Sequence, residues 1–169
     1  MKHWKPAAIA ALWSGALYAA PMPVVASFSI LGDVAQQIGG ERVAVQNLVG
    51  ANQDAHAYNL TSGDIKKIRE ARLVLLNGLG LEKAELQRAV KQSKVASAEA
   101  TAGIKPLAAD EHHHEHGHDH DHDHGEFDPH VWNDPVLMQR YAANVAIALI
   151  KADPAGSRYY QQRFKDYQN

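Results

Sequence analysis

A chain of 169 residues that is 46% hydrophobic is long enough for one domain of ordinary size, and not comfortably for two. Its 17 Lys and Arg against 19 Asp and Glu leave a net charge of −2 with His neutral, and no basic cluster or RNA-binding signature is present, which argues against a nucleic-acid partner. There is no Cys, so a disulfide framework and a lipidated N-terminal Cys are both excluded, and stability has to come from a packed core or a bound ion.

The chain opens with the charged stretch Met1–Lys5 and Pro6, followed by the apolar run Ala7–Ala20, broken only by Ser14 and Gly15. This is the layout of a secretory signal peptide, too short for a permanent bilayer span, and residues 1–19 are assigned to it with cleavage after Ala19. A soluble periplasmic protein follows from that leader and the missing lipobox Cys.

After it, Pro23–Ile30 reads as a buried strand and Leu31–Ile38 has apolar groups at helical spacing, ended by Gly39 and Gly40. Arg42–Val49 is a second strand, and Ala51–Leu60 a polar loop. Thr61 and Asp64 are placed to form a capping box at the start of a helix running to about Ala71. Arg72–Asn77 is too apolar to alternate, as in a central parallel strand covered on both faces. Gly78-Leu-Gly80 stops it, Leu81–Gln92 is helical in period, and Lys94–Ser97 is a short, weaker strand.

Past Asp110 lies the least ordinary stretch, Glu111–Gly125, which holds eight of the eleven histidines: His112, His113, His114, His116, His118, His120, His122 and His124. Interleaved with carboxylates and nearly free of apolar groups, it cannot offset its own ordering entropy, so a disordered loop over 111–125 is expected. Neutral imidazole is a preferred ligand of zinc, nickel and copper, so the loop reads as an auxiliary metal-collecting array. Asp134–Pro135 then carries the cap-plus-Pro signature of a helix over 136–151, and Asp153–Pro154 starts another that is still running at Asn169.

Strands alternating with helices imply an α/β fold, with a parallel sheet, flanking helices and a site at the strands' carboxyl ends. Outside the leader and the loop only two histidines remain, His56 in Asp54-Ala-His-Ala-Tyr58 and His130 in Asp128-Pro-His-Val-Trp132. Both fall in connections at that edge, each two residues after a carboxylate. They are the candidate metal ligands, with Asp54 and Asp128 as the groups that orient their rings.

These segments resemble the ligand segments of the periplasmic zinc- and manganese-binding components of ABC transporters, which look like Asp-Pro-His-x-Tyr-x-Pro and Asp-Pro-His-x-Trp. The resemblance also takes in Val24–Ser27, Thr61–Asp64, Ala71–Val74 and Asn77–Glu82, and so covers nearly all of the chain after the leader. Ala55 and Leu60 stand where the family usually has prolines. The resemblance implies the first lobe of a two-lobe metal-binding protein. Residues 20–133 would form that lobe, and 134–169 the helices leading into the linker, where the chain is truncated before the second lobe and its further ligands.

An acidic, histidine-rich loop before the second ligand segment implies the zinc-importer type. The resemblance thus implies a monomeric receptor that captures Zn2+ and delivers it to an ABC membrane permease, with Mn2+ as the second choice of ion. A periplasmic zinc buffer or chaperone acting through the loop alone, and a manganese receptor of the same fold, are the alternatives. An enzyme is disfavoured, since no His-Glu-x-x-His helix, Gly-x-Ser-x-Gly turn or phosphate-binding glycine loop is present.

Overall fold

The computed structural model describes residues 20–105 and 127–169. The assigned signal peptide at 1–19 and the histidine-rich stretch 111–125 lie outside the described residues. Four parallel strands form one sheet in the order β2-β1-β3-β4: β1 (Met22–Phe28), β2 (Val43–Val49), β3 (Leu73–Leu76) and β4 (Ala96–Glu99). Around it lie α1 (Ser29–Gly39), α2 (Ser62–Glu70), α3 (Ala84–Ser93), α4 (Pro135–Ala152) and α5 (Ser157–Tyr167).

The two central strands are the apolar ones because both of their faces are covered. Val24, Ala26, Phe28, Leu73 and Leu75 join the core beneath α1, α4 and α5, whereas Val25, Val74 and Leu76 join the one beneath α2 and α3. All four residues of β3 are buried, as the non-alternating Arg72–Asn77 run predicts. Each strand on an edge of the sheet has a more exposed pattern.

The β1–α1–β2 unit builds the sheet one way and β3–α3–β4 the other, so the direction of winding reverses between β1 and β3. Loops leaving neighbouring strands diverge at such a point and open a crevice at the carboxyl ends. Ser27 is the last residue but one of β1 at this place, Asn77 follows β3, and the loop carrying His56 follows β2.

Boundaries depart from the sequence expectation at several places, among them the last helix, where a 3-10 turn over Pro154–Gly156 precedes α5 and the helix ends at Tyr167 instead of running on through Asn169. The first strand stops at Phe28, and Ser29 and Ile30 belong to α1, whose buried Leu31, Val34, Ala35 and Ile38 already keep a helical period. The third helix begins at Ala84 rather than Leu81, because Leu81 and Glu82 are buried, with the Glu82 carboxylate held by Ser27, Asn77 and Gly78 at the ends of the two central strands. Lys94 adopts a left-handed conformation (φ 59°) at the end of α3, which delays β4 to Ala96.

The helices from Pro135 on, placed by the sequence on the way out of the lobe, also close its core. Tyr141, Val145 and Leu149 of α4 and Tyr160 of α5 are fully buried. Arg42 donates to Asp153 Oδ2 from Nε (2.9 Å) and Nη2 (2.7 Å), and the Tyr160 hydroxyl donates to the same oxygen at 2.7 Å. Arg163 Nε donates to the Gln37 carbonyl at 2.8 Å, so α5 is fastened to α1 as well.

Candidate metal centre

Two loops carry the candidate ligands to one point. Residues 50–61 leave β2 and turn back to the start of α2, where the capping box read from the sequence forms: Thr61 Oγ1 accepts from the Asp64 amide (3.2 Å) and Asp64 Oδ2 from the Thr61 amide (3.1 Å). The Tyr58 hydroxyl also donates to Asp64 Oδ2, and Lys67 Nζ lies 3.1 Å from Oδ1. Tyr58 therefore ties the loop to the helix two residues beyond His56. Burial alone would raise the Asp64 carboxyl, but the bonds from Thr61, Tyr58 and Lys67 outweigh it and hold the group down at about 2.

The second loop runs from Asp128 into a 3-10 turn at Val131–Asn133 and on to α4. Asp134 caps that helix, its Oδ1 accepting from the amides of Val136 (2.7 Å) and Leu137 (3.2 Å), with Pro135 at the first helical position as expected.

His56 and His130, 74 positions apart in the chain, meet with their Nε2 atoms 3.1 Å apart. Their ring centroids are 5.2 Å apart and the planes tilted by 51°. Zinc–imidazole bonds are about 2.0–2.1 Å long, so one ion bonded to both nitrogens at this separation would subtend about 95–100°, close to a tetrahedral angle. Trp132 stands edge-on to the His130 ring at 5.1 Å and packs on Phe28 at 4.8 Å, which backs the site with an apolar wall.

The two carboxylates act differently. Asp128 Oδ1 accepts from the His130 amide at 2.9 Å and lies 2.6 Å from its Nδ1. With Nδ1 carrying the proton toward that carboxylate, Nε2 presents a lone pair outward. The backbone amide and then the ring of His130 hold the Asp128 carboxyl below the usual range. Asp54 Oδ1 accepts from the His56 amide at 2.8 Å, which shapes the turn, but among the described residues it makes no bond to the His56 ring. Asp54 thus does not set the His56 tautomer.

Among the described residues no third His, Asp or Glu joins the pair in a metal-holding group. The eight histidines from His112 to His124 lie outside the described residues. An open cavity of about 410 Å³ extends from Asp128 and His130 past Val131 to Pro135 and Leu137, so the pair is reached from solvent.

Sequence reasoning missed the buried polar cluster below the site. Glu82, 6% exposed, accepts at Oε1 from the Ser27 hydroxyl (2.7 Å) and the Asn77 amide (2.6 Å), and at Oε2 from the Gly78 amide (3.0 Å). Gly78 takes φ +89°, and a Cβ there would come within 2.5 Å of Thr101 Oγ1, so only glycine fits. The available signal was a polar pair, Asn77 and Glu82, flanking a glycine turn directly after a fully apolar strand.

A family model described as ZnuA, zinc-uptake complex component A, periplasmic, matches residues 24–169. The manganese ABC transporter substrate-binding lipoprotein PsaA of Streptococcus anginosus is 31% identical over 146 residues, 86% of this chain and 47% of that protein. Iron-binding protein YfeA of Yersinia pestis is 33% identical over 144 residues, 85% of this chain and 43% of that one. A Mn-bound periplasmic metal binding protein from Candidatus Liberibacter asiaticus has a TM-score of 0.73 at 33% identity, over 86% of this chain and 51% of that chain. The chain spans about half the length of the curated relatives it matches.

Proposed function

The chain belongs to the ZnuA family of periplasmic zinc-uptake components, and from that premise we propose that it captures zinc in the periplasm for delivery to the membrane permease of an ABC importer. The observation that carries this reading is the 3.1 Å approach of His56 Nε2 and His130 Nε2. Two imidazoles suit a borderline-soft ion such as zinc, and Asp128 fixes one of them with its lone pair presented. Zinc in a closed site takes about four ligands, so in this reading a second lobe, for which the length of the relatives leaves room, supplies the rest. The histidine-rich stretch 112–124 serves as an auxiliary collector.

Protons compete with the ion for the imidazole lone pairs, and zinc affinity falls as pH drops. Calorimetric zinc titration of the native chain, of His56→Ala, of His130→Ala and of a deletion of residues 112–124 tests the assignment. Both point variants lose the tightest site, and the deletion lowers the stoichiometry while that site survives. Unchanged tight binding in both point variants refutes it; loss of nearly all zinc on loop deletion points to a buffer acting through the loop.

Relatives named for manganese and iron favour a second reading, a manganese receptor on the same fold. Competition between the two ions at the pair decides it, with zinc expected to win.

A further inference from the structure

Asn77 has no exposed surface, and each of its polar atoms is engaged by a different segment. Its amide donates to Glu82 Oε1 (2.6 Å), and its carbonyl accepts from the Thr101 hydroxyl (2.6 Å). Its side-chain Nδ2 donates to the carbonyls of Gly78 (3.0 Å) and Pro129 (3.1 Å), and its Oδ1 accepts from the Tyr141 hydroxyl at 3.0 Å. The amide orientation is fixed by chemistry: two carbonyl oxygens can only accept, so the NH2 group must face them. Burial, and after it the charge of Glu82, push Tyr141 upward, so its hydroxyl stays a donor.

Pro129 immediately precedes His130. The sheet end, the glycine turn, α4 and the second ligand segment are thus joined through one side chain, while among the described residues the His130 ring itself has, besides His56, only Asp128 of its own loop as a hydrogen-bonding partner. We infer that Asn77, held by Tyr141, is a positioning residue that sets the His130 imidazole opposite His56 through the Pro129 carbonyl.

This rests on the metal-receptor reading above. Without the Asn77 amide, the Pro129 carbonyl has lost its tie to the sheet and His130 is free to drift from the 3.1 Å geometry. Removing a group that orients a ligand typically costs ten- to a hundredfold in metal affinity. Tyr141→Phe, which leaves Asn77 Nδ2 on both carbonyls and takes away only the partner of its Oδ1, costs less.

The test is a zinc titration of the full chain followed by long-range proton–nitrogen spectra, which read the imidazole nitrogens of His56 and His130 apart from those of the other histidines. In the native chain both Nε2 signals move together. Asn77→Ala weakens that response roughly tenfold or more, and Tyr141→Phe several-fold. Tyr160→Phe is the control, because it removes the hydroxyl of another fully buried tyrosine of the same core, 2.7 Å from Asp153 and away from the Asn77 cluster. It destabilises the fold and leaves the response at the pair unchanged.

If Asn77→Ala does not fold, the comparison of Tyr141→Phe with Tyr160→Phe decides. Native-like zinc affinity in a folded Asn77→Ala, or equal losses in the two tyrosine variants, overturns the positioning role. A native chain whose His56 and His130 nitrogens ignore zinc overturns the receptor reading along with it.

Discussion

Replacing Asp64 by Asn keeps the shape of the side chain and removes its charge. In the native fold this carboxylate is buried, its side chain 5% exposed, and it receives bonds from Thr61, Tyr58 and Lys67 that hold it at about 2 instead of the ordinary 3.8. A depression of that size corresponds to about 2 kcal/mol of folding free energy. Because the folded-state value lies below the unfolded one, the contribution is fully present above about pH 4 and disappears as pH falls toward 2.

Asp64→Asn is therefore less stable than the native chain by about 2 kcal/mol at pH 7, and the gap narrows between about pH 4 and 2. Urea unfolding of both proteins at pH 7, 5, 4, 3 and 2.5 measures it directly. A gap below about 0.5 kcal/mol at neutral pH, or one that stays constant down to acid, would show that the charge of Asp64 does not stabilise the fold. The same substitution weakens the tie from Tyr58, and with it the seat of the His56 loop.

Two further outcomes follow from the same geometry. Asp128→Ala removes the acceptor of both the His130 amide and its ring nitrogen, and zinc affinity at the pair drops roughly ten- to a hundredfold in a chelator competition, while the thermal midpoint barely moves. Asp153→Ala strands the buried Tyr160 hydroxyl and frees Arg42; chemical denaturation shows a loss of about 2 kcal/mol with zinc affinity at the pair intact.

Local signals gave most of the fold away. The Thr61 and Asp64 box, the Asp134–Pro135 start and the unbroken apolar run of β3 each state their geometry within a few residues, and each forms as read. The strand-helix break at Ser29 was hidden because Phe28, Ile30 and Leu31 are all apolar, and apolar runs do not distinguish a buried strand from the first turn of a helix. The end of the sheet bearing His56 and His130 followed from βα alternation, since every loop that leaves a parallel strand opens on the carboxyl side, where the change of winding leaves a crevice.

The bonds that Asn77 and Glu82 make could not be read for a different reason. Their partners Ser27, Pro129 and Tyr141 lie more than fifty positions away, and no periodicity reports a hydrogen bond that long-range topology creates. The two carboxylates that looked equivalent beside the histidines also separate only in three dimensions. Asp128 reaches a ring nitrogen, whereas the turn after Asp54 brings its oxygen to a backbone amide.

A crystal of the protein soaked with zinc, measured on both sides of the zinc absorption edge, tests the shared site most directly. An anomalous peak about 2.1 Å from both His56 Nε2 and His130 Nε2 is the predicted result. Peaks confined to residues 112–124, or bound to one ring of the pair and not the other, would contradict it.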